Sequence, residues 1–109
     1  MQAIITVIIP AYNEQDSIAN VVNDIPEIVN EIIVINNNST DNTAINAKNA
    51  GATVLYESRK GYGYACLKGL DYIENQKTKP EIVVFLDGDY SDYPAQLTEL
   101  ISPILTKNI

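Results

Sequence analysis

The stretch that decides the fold covers residues 82–94 and reads IVVFLDGDYSDYP. Its first five residues are apolar and mostly β-branched, which is typical of a strand buried on both faces of a sheet. Three aspartates follow within six residues, and the proline at the end of the stretch suits the first turn of a helix. The stretch therefore predicts a buried strand, residues 82–86, that brings a carboxylate cluster to the edge of a sheet.

The clustered carboxylates of Asp87, Asp89 and Asp92 repel one another unless water or a cation lies between them. Hard divalent cations such as Mg²⁺ and Mn²⁺ take oxygen ligands, often one or two carboxylates together with substrate phosphates. We interpret this strand end as a metal-assisted phosphate site. A solvated acidic loop stays open as the alternative interpretation.

Composition limits the classes of function. The chain has 109 residues, enough for one domain with one core, and 46% of them are hydrophobic. A formal net charge of −7 argues against a nucleic-acid surface. One cysteine and no histidine exclude a disulfide within the chain, a Cys/His zinc site and a Ser-His or Cys-His nucleophile pair. The apolar run 3–9 is too short to span a membrane and follows no basic segment, so we expect a strand in a cytoplasmic protein.

Strands and helices alternate along the chain. Apolar runs predict strands at residues 4–9, 32–35, 53–56 and 82–86, the first of them stopped by Pro10. Helices are predicted at residues 18–25, from about 40 to 50, at 62–75 and after residue 94. This order predicts an α/β fold, a Rossmann-like parallel sheet of four strands with helices on both faces.

Local signals predict the helix ends and the buried helix faces. Asn13 or Asp16 is expected to cap the first helix, Pro26 closes it, and Gly51 fits the position just after the second helix. The residues expected on the inner face of the third helix are Cys66, Leu70 and Ile73, with Cys66 as a small core residue.

A polar cluster follows every predicted strand, at residues 10–14, 36–41, 57–63 and 87–92. In open parallel sheets, ligands bind beyond the carboxyl ends of the strands, where the strand order reverses. If the strand order is 3-2-1-4, Tyr12 and Glu14 face Asp87 and Asp89 across one crevice. The paired basic residues 59 and 60 are open between surface charge and a phosphate role. The tyrosines at 62, 64, 90 and 93 are interpreted as packing and rim residues rather than ligands.

Four motifs in this chain resemble family 2 glycosyltransferases, most closely the polyprenol/dolichol-phosphate sugar synthase branch. The motifs are residues 7–14, residues 37–43, residues 61–65 with Gly69 and Leu70, and Asp87-Gly88-Asp89 with Pro94. They occur in the family's order and cover nearly the whole chain.

The resemblance implies an A-type glycosyltransferase fold, the nucleotide-diphospho-sugar transferase type, that binds a UDP- or GDP-sugar and transfers the sugar with inversion. Positions matched to the family's donor site are Pro10, Tyr12 and Glu14 for base and ribose, Ile35 and Asn37 for the base, and Asp87 and Gly88 for the nucleotide. By the same resemblance, Asp89 with Asp87 holds Mg²⁺ or Mn²⁺ against the diphosphate.

Two departures from the family pattern shape the expectations. Asn36 and Asn37 stand where the family usually has one or two aspartates. This difference affects which base the site can bind. The acceptor-binding half and the usual catalytic base of this fold lie beyond the fourth helix, so we expect residues 1–109 to be a nucleotide-sugar-binding half without transferase activity of its own. The alternative is a truncated, non-catalytic nucleotide- or metal-binding module of the same fold.

Expectations about partners follow from the same resemblance. The donor is the nucleotide sugar, and one candidate acceptor is a polyprenyl phosphate. Membrane contact is expected only through that lipid or through a further segment. No nucleic-acid partner is expected. An open edge of the sheet allows self-association.

Overall fold

The structure, a computed structural model, describes residues 3–88. Its elements are β1 (Ile5–Ala11), α1 (Ile18–Asp24), β2 (Glu31–Asn36), α2 (Thr43–Asn49), β3 (Thr53–Tyr56), α3 (Tyr62–Glu74) and β4 (Ile82–Phe85). The predicted fourth helix, together with Asp89, Asp92 and Pro94, lies outside the described residues. No helix within residues 3–88 is both long and apolar enough to cross a membrane.

The four strands form one parallel sheet in the order β3-β2-β1-β4, which confirms the predicted order. β1 lies between β2 and β4, with Ile8 opposite Ile33 on one side and Phe85 on the other. All seven residues of β1 are buried. The strand order reverses at β1, so the carboxyl ends of β1 and β4 lie side by side.

Helices cover both faces of the sheet, as predicted. One core cluster contains Val7 and Ile9 of β1 together with buried residues of α1 and α2. The other contains Ile8 of β1 together with Ala65 and Ile73 of α3. Successive residues of a strand point to opposite faces, so the unbroken apolar run of β1 serves both clusters.

β1 runs on to Ala11, and the prediction that Pro10 stops it is wrong. Proline has no backbone N–H to donate. It is therefore tolerated in a strand only where that position makes no hydrogen bond to a neighbouring strand. The Ile8 carbonyl accepts a hydrogen bond from Leu86 N–H at 3.0 Å, so Ile8 and, two residues on, Pro10 turn their backbone groups toward β4. The pairing with β4 ends at Ile8, so Pro10 interrupts no described pair on that side, and Ala11 still pairs with β2.

α3 packs on the sheet through small residues. Its buried positions are Ala65, Gly69 and Ile73. A methyl group at Gly69 would come within 2.8 Å of Ile8 Cγ2, so a side chain there would force the helix away from β1. The predicted inner face is therefore wrong for Leu70, which is 40% exposed, and for Cys66, which is only half-buried. The apolar pattern favoured large side chains, whereas the close approach of the helix requires small ones.

The first helix begins at the predicted residue but with a different cap, and the second begins later than predicted. α1 has Ser17 as its N-cap, so the predicted caps Asn13 and Asp16 are wrong. Asn13 has a φ of 52°, in the left-handed region, and a turn separates it from the helix. α2 begins only at Thr43, because Asp41 accepts the Thr43 N–H at 3.0 Å and forms a tight turn before the helix.

The end of α2 matches the prediction. Gly51 follows the C-cap with a φ of 108°, a conformation that favours glycine. Its N–H donates to the Lys48 carbonyl at 3.0 Å, and Ala52 N–H donates to the Ala47 carbonyl at 3.1 Å. This pair of bonds is a Schellman motif, and it leads the chain directly into β3.

β4 is less buried than its sequence predicts. Ile82 is buried, but Phe85 is 39% exposed. Within the described part of the chain β4 pairs with β1 alone and forms an edge of the sheet, so its side chains are covered from fewer directions than those of β1. The prediction of a strand buried on both faces is therefore wrong for Phe85.

Candidate functional site

The loops that follow β1 and β4 meet at the carboxyl end of the sheet. Ser17 Oγ donates a hydrogen bond to the Gly88 carbonyl at 2.6 Å and lies 3.1 Å from Glu14 Oε2. A methyl group at Gly88 would come within 3.4 Å of Glu14 Cγ. Asp87 is exposed beside this contact, and Asp89 lies just outside the described residues. Glu14 and the Asp87–Gly88 turn thus share one corner of the molecule, where the strand order predicts them to be.

A hollow of about 320 Å³ lies at the same end of the sheet, lined by Tyr12, Asn37, Lys60, Gly61 and Tyr62. A smaller hollow of about 140 Å³ shares Tyr12, Asn37 and Tyr62 and adds Pro10, Ala11 and Ala65. We call the two hollows together the tyrosine cleft. Tyr12 is 59% exposed and Tyr62 is 56% exposed, so both rings offer surface on which a planar ligand can stack.

Ile35, predicted to contact a base, is fully buried on the α3 face of the sheet. Ile35 exposes no surface in this structure, and its contact with a base stays a prediction. Asn37 does line the cleft, but it is only 8% exposed. Its Nδ2 donates to the carbonyls of Glu57 at 2.9 Å and Arg59 at 2.8 Å, and its Oδ1 accepts the Gly61 N–H at 2.9 Å.

An ion pair stiffens the loop between β3 and α3. Arg59 meets Glu57 with two nitrogens, Nε and Nη2, each 3.0 Å from a carboxylate oxygen. The guanidinium also lies 4.6 Å from the centre of the Tyr64 ring. The side-chain and backbone hydrogen bonds from Arg59 lower the pKa of Glu57 from its ordinary 4.5 to about 2. Arg59 is thus engaged within the loop, whereas Lys60 lines the cleft.

Tyr62 lines the cleft, although the sequence favoured a packing or rim role for it. The signal that could have found it is Gly61, which has a φ of 128° and serves as the N-cap of α3. That backbone turn places Tyr62 in the first turn of the helix, at the strand-end side of the sheet, where the polar clusters were expected.

Side-chain hydrogen bonds join the loop after β1 to the loop after β2. Glu14 N–H donates to Thr43 Oγ1 at 2.8 Å, and the Thr43 hydroxyl donates to Asp41 in a short bond. Asn13 N–H donates to Ser39 Oγ at 2.9 Å. Burial alone would raise the pKa of Asp41, but hydrogen bonds from the Thr43 hydroxyl and from backbone N–H groups lower it overall. Asp41 therefore stays ionised at neutral pH and holds the hydroxyl that anchors the Glu14 backbone.

Of the two predicted metal ligands, only Asp87 lies within the described residues. Residues 3–88 contain no group of three or more acidic, cysteine or histidine side chains that could hold a metal ion by themselves. The oxygen chemistry nevertheless fits a hard cation, because Mg²⁺ is often held by one or two carboxylates and substrate phosphates. The second predicted ligand, Asp89, falls outside the described part of the chain.

A parallel sheet of order 3-2-1-4, with a cleft beyond the carboxyl ends of its strands, is the architecture of nucleotide-binding α/β proteins. Within that class, the sequence model described as glycosyl transferase family 2 matches residues 6–108. The chain therefore belongs to glycosyl transferase family 2, as its four motifs predicted.

Individual relatives agree with this assignment. Protein RfbJ of Shigella flexneri is 36% identical, and the match covers 96% of this chain and 79% of RfbJ. Glucosyl-3-phosphoglycerate synthase of Mycolicibacterium paratuberculosis is 34% identical over 94% of this chain and 33% of the synthase. The crystal structure of the Mycobacterium tuberculosis synthase is 33% identical with a TM-score of 0.81, over 95% of this chain and 42% of that structure.

The structural match confirms the predicted fold class, and the chain spans less than half of these synthases. Further crystal structures of the Mycobacterium tuberculosis synthase hold UDP together with Mn²⁺ or with Mg²⁺. One of them also holds glucosyl-3-phosphoglycerate, and another holds UDP-glucose with phosphoglyceric acid.

Proposed function

We propose that this chain binds a nucleotide-diphosphate sugar at the carboxyl end of its sheet and forms the donor-binding part of an inverting, metal-dependent glycosyltransferase. The observation that carries the proposal is that the tyrosine cleft and the Asp87–Gly88 turn both lie at this end. The cleft suits a base, and the turn suits a diphosphate with its cation. Family membership supports the reaction class, and the synthase structures that hold UDP support the donor class.

The nucleoside is proposed to occupy the tyrosine cleft. Tyr12 offers its exposed ring to the base, and stacking of a base on an aromatic ring is worth about 1–3 kcal/mol. Pro10 lines the inner hollow. Glu14, whose side chain lies beside Gly88, is proposed to contact the ribose. UDP is the first donor nucleotide to test because the synthase relatives hold it, and GDP is the second.

Asp87 and Asp89 are proposed to hold Mg²⁺ or Mn²⁺ beside the diphosphate. When bound, such a cation offsets the negative charge that develops on the leaving diphosphate. A chain with a net charge of −7 would otherwise repel that group. Lys60 contributes a positive charge from the cleft wall.

We carry two classes of acceptor forward. A polyprenyl phosphate is the acceptor suggested by the resemblance, and it stays a prediction. A small phosphorylated acid is the second class, because one group of relatives is named for 3-phosphoglycerate. A cytoplasmic location and self-association through a sheet edge also stay predictions.

A non-catalytic nucleotide-binding module is the alternative function. The observation in its favour is the pair Asn36 and Asn37, which replaces the family's usual carboxylates at the end of β2. Such a module would bind the nucleotide without transferring a sugar.

Calorimetric titration of the full chain tests the nucleotide binding that both functions share, and a transfer assay tests the module. UDP, GDP and their sugars are titrated with and without Mn²⁺, and transfer is followed as release of the nucleotide diphosphate with each acceptor class. Metal-dependent binding is expected, with UDP the tightest. Residues 1–109 are expected to bind without turnover in both cases. Turnover with either acceptor would exclude the module, and no binding of any nucleotide would refute both functions.

A further inference from the structure

Asn37 occupies a junction between three strands. It directly follows β2, and its backbone N–H donates to the carbonyl of Ala11 at the end of β1 at 2.9 Å. Its side chain reaches in the other direction, to the loop that follows β3. Because the residue is 8% exposed, its amide lies largely out of water and depends on protein partners for its hydrogen bonds.

The partners of the Asn37 side chain require an amide. A primary amide has two N–H donors and one carbonyl acceptor. Both donors are used, on the carbonyls of Glu57 and Arg59, and the acceptor takes the N–H of Gly61. The neighbouring Asn38 adds a bond from its Nδ2 to the Ser58 carbonyl at 3.0 Å. The orientation of the amide follows from these partners, since two carbonyl oxygens can meet only the nitrogen.

The loop held in this way forms one wall of the tyrosine cleft. Lys60 and Gly61 belong to the loop, and Tyr62 follows it directly. We propose that Asn37 is a positioning residue that sets this wall for the nucleoside, rather than a ligand of the base, and that the position requires an amide. The inference rests on the proposed function only in taking the ligand of the cleft to be a nucleoside.

A carboxylate at position 37 would have the opposite effect in the two roles. As a ligand of the base, the family's usual aspartate would strengthen binding by accepting a hydrogen bond from a base N–H. In the loop-holding role, Asn37→Asp removes both donors and sets a negative charge against the carbonyls of Glu57 and Arg59. The substitution therefore separates the two roles by the sign of its effect.

Asn36 supplies a matched control. It is equally buried at 8% exposure, and its Oδ1 accepts the Ser39 N–H at 2.9 Å. A carboxylate can accept that bond equally well, so Asn36→Asp makes the same chemical change one residue away without removing the bond.

The test compares the full chain with Asn37→Asp and Asn36→Asp by titration with UDP and Mn²⁺, with melting temperatures recorded for each. The affinity for UDP is expected to fall about tenfold in Asn37→Asp, the size expected when buried hydrogen bonds are lost, and by less than about threefold in Asn36→Asp. The ratio of the UDP affinity of the unsubstituted chain to that of Asn37→Asp should be smaller at pH 5.5 than at pH 8. The reason is that protonation of the introduced carboxyl restores one hydrogen-bond donor. A folded Asn37→Asp chain that binds UDP as tightly as the unsubstituted chain, or more tightly, would overturn the proposal.

Hydrogen exchange in the unsubstituted chain gives a second measurement that needs neither a ligand nor a variant. The Gly61 amide proton and both Asn37 side-chain N–H protons are expected to exchange slowly, and rapid exchange of all three would refute the loop-holding role. If UDP fails to bind but these protons are protected, the proposed function is wrong and the role of Asn37 in the loop stands.

Discussion

On the nucleoside side of the site, the loops after β1, β2 and β3 are joined by side chains that bond to backbone groups, above all Asn37 and Thr43. On the metal side, the turn after β4 meets Glu14 and the hydroxyl of Ser17, and it presents the carboxylate of Asp87. On the first side, these hydrogen bonds between the loops exist before a ligand arrives. The second side presents negative charge to the proposed diphosphate, so we expect that ligand to bind well only when a cation is present.

Removal of the metal should have the largest effect and should separate the two sides. With EDTA, the affinity for UDP is expected to fall about a hundredfold, because an uncompensated diphosphate meets the acidic turn. The affinity for uridine, which has no diphosphate, should change by less than about twofold. Titration of both ligands with and without Mn²⁺ measures this difference. Equal losses of affinity for UDP and for uridine would show that the cation does not act through the diphosphate.

Loss of the exposed ring on the nucleoside side should have the next largest effect. Tyr12→Ala is expected to weaken both UDP and uridine about tenfold, because stacking on the base is lost. The melting temperature should hardly change, since Tyr12 is 59% exposed. Tyr56→Ala is the control, because Tyr56 is a similarly exposed tyrosine, at 66%, that does not line the cleft. The assignment of the cleft fails if both substitutions leave UDP binding unchanged.

A smaller effect is expected when the metal-side turn loses its hydroxyl contact. Ser17→Ala removes the bond to the Gly88 carbonyl and should raise the Mn²⁺ concentration needed for UDP binding about threefold to fivefold, the usual size for one hydrogen bond. Ser17 makes no side-chain capping bond to α1, so the helix should be little affected.

Ser39→Ala is the matched control for that substitution. It removes a serine hydroxyl that accepts the Asn13 N–H on the nucleoside side, and it should leave the Mn²⁺ requirement unchanged. Equal shifts in the two variants would mean that Ser17 has no particular connection with the metal side.

The smallest effect concerns pH and lies in the loop that carries Lys60. The pKa of Glu57 is about 2 in the folded chain and 4.5 ordinarily, so its bond with Arg59 stabilises the fold above pH 4.5. That contribution is lost as the pH falls from 4.5 toward 2. The melting temperature of Glu57→Gln should therefore lie below that of the unsubstituted chain at pH 7 and approach it near pH 2. A difference that stays constant over this range would exclude the ion pair as its source.

The parallel sheet and the polar loops at one of its edges could be predicted from sequence, because buried parallel strands have long apolar runs and polar clusters follow each of them. The strand order itself had to be assumed, since apolar runs do not determine it. The inner face of α3 could not, since the pattern favoured Leu70 while contact with Ile8 requires Gly69. The sequence predicts a start of α2 near residue 40, which is too early, because Asp41 accepts a hydrogen bond from Thr43 N–H before the helix begins.

Within the candidate site, the sequence identified the right loops but not the partner of each side chain. Asn37 matches a position that contacts the base in the family, yet its amide bonds to Glu57 and Arg59, some twenty residues further along the chain. Tyr62 joined the cleft through the backbone turn at Gly61, which residue type alone does not fix. Contacts between loops depend on tertiary packing, so a single sequence leaves them open.

Paramagnetic broadening tests most directly whether the loops after β1 and β4 share one site for a cation and a diphosphate. Amide signals of the ¹⁵N-labelled chain with UDP are compared in the presence of Mn²⁺ and of Mg²⁺. Signals of Glu14, Ser17 and Gly88 are expected to disappear with Mn²⁺, while those of Gly51 and Glu81, at the opposite end of the strands, should persist. Broadening centred on Gly51 and Glu81, or unaltered signals from Glu14 and Gly88, would contradict a shared site.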